Sequence, residues 1–303
     1  MHIPRRLVAE VGRPFYWAGL NHRVPPRWGR PILDACAVGL VLPKGTDRRH
    51  VVLAGRPAER LQVGVGPRGR AVIYLHGGGY TVGSPRLFRA CAANIARAAD
   101  AVVFSLDYRM GPEHHHPAAL DDAVAAFNEL VDVHGFAPQQ IAFAGDSAGG
   151  GLSLAAAQVL IARGRRPGAL VLLSPWVQPD DTAYDKTKSL GNNLAWGAKS
   201  GRIYLGDGDP RDPGYAPLFG SFDDLPPTLV QYSSTEMLVP QIERLIARFR
   251  DAGTTLVVEN DPRWWHSFHV MAGTLREATD AVDSIGRFLT GVLQDRPGKV
   301  RLS

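Results

Sequence analysis

Cysteine is scarce in this chain: among 303 residues there are only Cys36 and Cys91, too few for a disulfide framework. Cys91 lies in the apolar run Ala90-Cys91-Ala92-Ala93, where a thiol packs as a small hydrophobe. Also lacking is any apolar stretch of the length needed to cross a bilayer, and Glu10 and Arg13 interrupt what would otherwise be a leader's apolar region. These absences predict a cytoplasmic protein. The aromatic and basic run Arg13-Pro14-Phe15-Tyr16-Trp17 leaves peripheral membrane contact open. The net charge of +5 is spread thinly, apart from Arg5-Arg6 and Arg163-Gly164-Arg165-Arg166. No basic stripe with interleaved aromatics exists, so nucleic acid is not an expected partner. At 45% hydrophobic and 21% charged residues, the composition is that of an ordinary globular enzyme.

What is present is rhythm. Apolar, β-branched runs predict strands at Leu61 to Val65, Ala71 to Leu75, Ala101 to Leu106, Ile141 to Ala144, Leu170 to Leu173, Thr228 to Tyr232 and Thr255 to Glu259. Helical spacing fills Leu87 to Ala99, Ala118 to Val133, Leu152 to Arg163, Gln241 to Arg250 and Ala278 to Leu293. Strands alternating with helices predict an α/β fold with a mostly parallel, doubly wound central sheet. Two stretches break the rhythm: residues 1 to about 50, and the polar, turn-rich residues 177 to about 224. A long insertion at the ligand-binding end of an open sheet predicts a cap over a site. The expected division is therefore 1–50 as the N-terminal part of a cap, 51–176 and 225–303 as the core, and 177–224 as the cap insertion.

Gly145-Asp146-Ser147-Ala148-Gly149 sits between a strand and a helix, the setting of a nucleophile elbow. Upstream, His76-Gly77-Gly78-Gly79 follows another strand. A serine hydroxyl is not ionised near neutral pH, so an imidazole must take its proton during attack. The backbone N–H of Ala148 and those of the glycine loop are candidate donors to a developing oxyanion. If the order is serine, acid, histidine, the base comes after the last strand, where His266 fits better than His269. The run His114-His115-His116 is a weak metal candidate, because three consecutive imidazoles do not converge easily. Asp121-Asp122 most simply complements the dipole of the helix it opens.

Together with Asp107-Tyr108-Arg109-Met110-Gly111-Pro112-Glu113, Leu173-Ser174-Pro175-Trp176 and Trp265-His266, these motifs resemble the hormone-sensitive-lipase-like family of α/β-hydrolases, especially its bacterial carboxylesterases. The resemblance spans residues 71 to 269. It implies an α/β-hydrolase fold with a helical cap, a nucleophile at Ser147, a base at His266, and oxyanion donors at Gly78, Gly79 and Ala148. It implies small to medium carboxylic esters as substrates, no metal or organic cofactor, a bracing role for His76, and a homodimer paired through the last helix in some members. The family's acid position falls at Thr235, which carries no charge; Glu236, one methylene longer, is the expected acid, with Asp224, Glu259 or a site without an acid as alternatives. A non-catalytic binding protein on the same fold, like the plant gibberellin receptors, or an amide or other acyl hydrolase are the competing functions. Trp196, Tyr204 and Tyr215 either line a pocket or hold the cap to the sheet.

Overall fold

The computed structural model describes residues 18–181 and 193–294. Arg5-Arg6, Arg13 to Trp17 and residues 182–192 of the expected cap insertion lie outside the described residues. Eight strands form one sheet: β1 (Thr46–Leu53), β2 (Arg56–Val63), β3 (Ala71–Leu75), β4 (Val102–Leu106), β5 (Ile141–Asp146), β6 (Ala169–Leu173), β7 (Thr228–Tyr232) and β8 (Leu256–Asn260). Their spatial order is β1-β2-β4-β3-β5-β6-β7-β8, parallel from β4 to β8 and antiparallel at the β1–β2 and β2–β4 pairs.

The antiparallel edge is where the chain departs from the expected strand pattern. β1 begins at Thr46, inside the segment expected to belong to the cap, and β2 begins at Arg56 rather than Leu61. Thr46-Asp47-Arg48-Arg49-His50 lies on the outer edge, where one row of backbone groups and most side chains meet water, so no apolar signature marks it. Ala54-Gly55, both at positive φ, close a two-residue hairpin between Leu53 and Arg56.

Seven α-helices are described: α1 (Pro26–Ala35), α2 (Pro85–Ala98), α3 (Ala118–Asp132), α4 (Ala148–Ala162), α5 (Asn193–Leu205), α6 (Val239–Asp251) and α7 (Arg276–Val292). Strand residues alternate between the two faces of the sheet. Ala71, Ile73, Leu75, Phe104 and Phe143 join one core with residues of α3, α4 and α6. Val72, Tyr74, Val103, Ala144 and Val171 join a second core with residues of α2 and α7. The central strands are buried on both sides, as a doubly covered parallel sheet requires. Each fully buried Leu, Ile or Phe contributes about 1.5–3 kcal/mol, which makes these two layers the rigid base on which the loops stand.

Neither α1 nor α5 follows from the sequence rhythm. Pro26 is admitted at the first position of α1, where no N–H is needed. In α5 the small residues Gly197, Ser200 and Gly201 look like breakers; Gly201, however, lies where a Cβ would come within 2.8 Å of the Tyr215 hydroxyl. Both helices dock on the glycine loop. The Arg30 guanidinium donates to the Thr81 and Gly111 carbonyls at 3.0 and 2.9 Å and pairs with Glu113, while Thr81 Oγ1 donates to Ser200 Oγ at 3.1 Å. Lys199 Nζ donates to the His22 carbonyl at 2.8 Å, tying the N-terminal segment to α5.

Candidate active site

Gly78 and Gly79, Ser147 and Ala148, Glu236, and His266 lie at the carboxyl ends of β3, β5, β7 and β8 respectively, where open α/β sheets bind ligands. Ser147 stands between β5 and α4 with φ 52° and ψ −120°, a conformation an L-residue adopts at a cost of about 1–3 kcal/mol. The surroundings hold it there: its N–H donates to the Leu173 carbonyl at 2.8 Å, and its carbonyl accepts from Gly150, Gly151 and Trp176 at 3.0, 3.1 and 2.8 Å. The flanking glycines are required by space. A Cβ on Gly145 would lie 2.3 Å from the Gly149 carbonyl oxygen, and one on Gly149 would lie 1.9 Å from the Leu75 oxygen.

His266 Nε2 lies 3.0 Å from Ser147 Oγ. On its other side, Nδ1 lies 3.6 Å from Glu236 Oε1, an ion-pair separation that is long for a formed hydrogen bond. Catalytic contacts of this kind are often loose in a free enzyme and tighten around substrate. The Glu236 side chain is 1% exposed, and its Oε2 accepts from Ser174 Oγ at 2.7 Å and from the Ser233 N–H at 3.3 Å. Those two donors turn the other oxygen toward the imidazole. Burial by itself would lower the His266 pKa, but Glu236, with a smaller share from Asp146, outweighs it and holds that pKa above the usual histidine value.

The alternatives for the acid and the base are occupied elsewhere. Thr235 is exposed; its hydroxyl sits 2.8 Å from Ser233 Oγ and donates toward the Pro262 carbonyl at 3.4 Å. Glu259 accepts from Gln231 Nε2 and Ser284 Oγ at 2.7 and 2.5 Å. Asp224 is exposed on the turn before β7, where its carbonyl accepts from Arg166. His269 is buried with Nε2 2.9 Å from Gln231 Oε1, and burial, then the neighbouring His266, push its pKa down to about 3.

Gly78 and Gly79 form the loop after β3, at φ 118° and 59°. The Gly78 carbonyl accepts from the Thr81 and Val82 N–H groups at 3.1 and 3.0 Å, folding the loop back on itself. Gly77 is the exception in this row, because its N–H is already taken by Asp146 Oδ1 at 2.8 Å. The N–H groups of Gly78, Gly79 and Ala148 have no acceptor among the described residues. Ala148 is also the first residue of α4, so its N–H adds to the positive end of a helix dipole. His76 braces this loop from below: Nδ1 donates to the Gly77 carbonyl at 2.8 Å, the ring stacks on Tyr108 at 4.4 Å, and burial pushes its pKa down to about 4.

Three sequence expectations resolve differently from one another. The histidines at 114–116 diverge: His115 Nδ1 lies 2.8 Å from the Ile203 carbonyl, while His116 Nε2 lies 3.4 Å from Asp212. Asp122 does more than serve a helix dipole, since it accepts from the Arg109 N–H and side chain at 2.7–3.0 Å in a half-buried fork. Tyr204, near the end of α5, and Tyr215 are buried, Tyr204 stacking on Tyr80 at 4.2 Å, whereas the Trp196 ring reaches over the glycine loop. A Cβ on Gly79 would lie 2.7 Å from Trp196 Cη2. Sequence reasoning passed over Ser174, Asp146 and Ser267, all in contact with the site; the cue was a polar side chain inside or beside each recognised motif.

A family model described as alpha/beta hydrolase fold matches residues 72–270. The chain belongs to that family. An acetyl-hydrolase of Streptomyces hygroscopicus is 38% identical over 226 residues, covering 73% of this chain and 75% of its own. The esterase LipU of Mycobacterium tuberculosis is 33% identical over 88% of this chain and 93% of its own. A crystal structure of an esterase from the bacterial hormone-sensitive lipase family superposes with a TM-score of 0.88 at 32% identity, covering 96% of this chain and all of that one.

Proposed function

We propose that this member of the family is a serine hydrolase of carboxylic esters, with Ser147, His266 and Glu236 as its catalytic triad and Gly78, Gly79 and Ala148 as its oxyanion donors. The observation that carries the proposal is the 3.0 Å contact between Ser147 Oγ and His266 Nε2, at an elbow where the Ala148 N–H, like those of Gly78 and Gly79 in the glycine loop, has no acceptor among the described residues. In the first half-reaction Ser147 Oγ attacks the ester carbonyl carbon while His266 Nε2 takes its proton. The carbonyl oxygen becomes an oxyanion within reach of the donors, each worth about 2.7–4 kcal/mol at the transition state. The imidazolium, held by Glu236, then gives its proton to the leaving alcohol as the carbon–oxygen bond breaks. In the second half, water attacks the acyl-enzyme, His266 takes a proton from it, and Ser147 is released with the carboxylic acid.

Every bond made or broken is handled by these side chains and water, so the proposal invokes no metal or organic cofactor. The name of one relative, acetyl-hydrolase, favours short esters. The Trp196 edge beside Gly79 supports that choice, because it narrows the space next to the oxyanion loop. α1 and α5, both anchored on the loop, make up the described part of the proposed cap. A non-catalytic binding protein would have no use for a buried carboxylate aimed at His266. No described helix is long and apolar enough to cross a membrane. A cytoplasmic location and pairing of two copies through the last helix complete the proposal as expectations of the sequence.

Nitrophenyl esters of increasing acyl length, combined with organophosphate labelling, test this reading. The expected result is turnover highest on the shortest esters, stoichiometric label on Ser147, and loss of both in Ser147→Ala with the fold intact. A Ser147→Ala enzyme that keeps a tenth of the activity refutes the assignment.

A further inference from the structure

We propose that Asp146 is a positioning residue for the reaction: its buried carboxylate ties the oxyanion loop, the nucleophile and the histidine loop together, and sets a second negative charge near the His266 imidazolium. The inference rests on the serine-hydrolase reading and adds a residue to it.

Asp146 ends β5 directly before Ser147 and is 1% exposed. Its Oδ1 accepts from the Gly77 N–H at 2.8 Å and from Tyr74 OH at 3.1 Å; its Oδ2 accepts from Ser267 Oγ at 2.8 Å. Gly77 directly precedes the two oxyanion glycines, and Ser267 directly follows His266, held in the left-handed region at φ 56°. One carboxylate, on the residue before Ser147, therefore touches the neighbours of both the oxyanion glycines and His266. The fit is close, since a Cβ on Gly77 would lie 2.3 Å from Asp146 Oδ2.

No lysine or arginine pairs with Asp146 among the described residues. A buried carboxylate without a cation is costly, and burial pushes its pKa up to about 6 against the pull of Ser267, Gly77, His266 and Tyr74. The titratable groups facing it are Tyr74 on β3, Cys91 on α2, Tyr108 after β4 and His266. Burial raises Tyr74 and Tyr108 well above the usual tyrosine value and Cys91 to about 12, so these three stay neutral. His266 is left as the charge that balances Asp146, and it becomes positive at the step in which Ser147 loses its proton.

Steady-state kinetics across pH test this with Asp146→Asn, Ser267→Ala and the double variant. Asp146→Asn keeps the shape and removes the charge. It is expected to lower kcat by about 10–100-fold with KM within about threefold, and to move the acidic limb of kcat/KM to lower pH as His266 loses a negative neighbour. Ser267→Ala keeps the carboxylate and cuts one tether; kcat should fall by about 3–10-fold. The double variant should lose no more than Asp146→Asn alone, because both act through one contact. An unmoved limb in Asp146→Asn, additive losses, or a Ser267→Ala enzyme with wild-type kcat overturns the inference; the last holds even if Asp146→Asn fails to fold. A Ser147→Ala enzyme that still turns over esters refutes the hydrolase reading instead.

Discussion

Replacing Glu236 by glutamine tests the acid more sharply than deleting it, because the shape survives while the charge and one acceptor are lost. Glu236 Oε2 faces two donors, Ser174 Oγ and the Ser233 N–H. In the variant the amide oxygen belongs there, which leaves the NH₂ against His266 Nδ1 at the 3.6 Å position. That arrangement favours the tautomer with its proton on Nε2, which cannot accept one from Ser147. The lost charge can be estimated separately. Coulomb's law at 3.6 Å with an effective dielectric of about 20 gives about 4.6 kcal/mol for a carboxylate and an imidazolium. The imidazole is 36% exposed, so water screens part of this; about 3–4 kcal/mol remains, on the order of 10²–10³ in kcat. A short-chain nitrophenyl ester provides the assay, with kcat and KM measured from acid to neutral pH. Glu236 raises the His266 pKa, so its removal must move the acidic limb of kcat/KM to lower pH while the plateau drops. A plateau within about threefold of wild type, with the limb in place, refutes the assignment of the acid.

The glycine loop yields a graded pair. Gly78→Ala drives a Cβ to 2.1 Å from the Val82 backbone oxygen, which cannot step aside, and steady-state assays should show kcat down by about 10²–10³ with KM changed less. Gly79→Ala meets mainly the tip of Trp196, at 2.7 Å, so its loss should be smaller and partly recovered by adding Trp196→Ala. Gly149→Ala sets a Cβ 1.9 Å from the Leu75 oxygen, and denaturant unfolding should show a loss of more than about 3 kcal/mol or no soluble protein. The buried histidines predict an acid-labile fold. His76 and His269 have folded pKa values of about 4 and 3, below the ordinary histidine value of 6.5, so the unfolded chain binds protons first as pH falls. Their stabilisation is complete above about pH 6.5 and drains between there and about pH 3, against the opposite and smaller trend of Asp146, whose raised pKa favours the folded state on acidification. Thermal melts should fall steadily from pH 7 to pH 4.5, and a flat profile contradicts the buried, neutral state of both rings.

The parts of the fold legible in the sequence are those whose burial is symmetrical. β3, β4, β5, β6 and β7 read as apolar runs because both faces are covered, and the elbow and glycine loop read as motifs because a Cβ would collide with backbone. β1 was invisible because it is an edge strand rich in Arg and His, and α5 because its glycines and serine look like breakers until Tyr215 and Thr81 are placed against them. Ser147 and His266 were legible from order along the chain. Asp146, Ser174 and Ser267 were not, since their roles depend on partners 121, 62 and 121 positions away in the chain, and a place inside or beside a motif marks a polar side chain without naming its partner.

In the proposed triad, one added methylene makes up for a one-residue shift from the acid position that the family resemblance implies at Thr235. An aspartate at Thr235 would stand where the present hydroxyl faces Ser233 and Pro262, on the exposed side of the turn. Glu236 is instead folded inward by the turn itself, its N–H donating to the Ser233 carbonyl at 3.2 Å, and its longer chain spans the added distance to His266. Length brings an extra torsion and therefore an entropic cost to holding the carboxylate in place. Ser174 offsets that cost: its backbone is fixed by the N–H bond to the Gln231 carbonyl at 2.7 Å, and its hydroxyl pins Oε2. It follows that Thr235→Asp added to Glu236→Gln should restore little activity in this chain, because the turn directs residue 235 away from the imidazole. Ser174→Ala should lower kcat by about 5–20-fold by loosening Glu236, with KM little changed. If the Thr235→Asp, Glu236→Gln enzyme instead recovers most of the wild-type kcat, the turn is more plastic than its hydrogen bonds indicate, and Glu236 owes its place to charge alone.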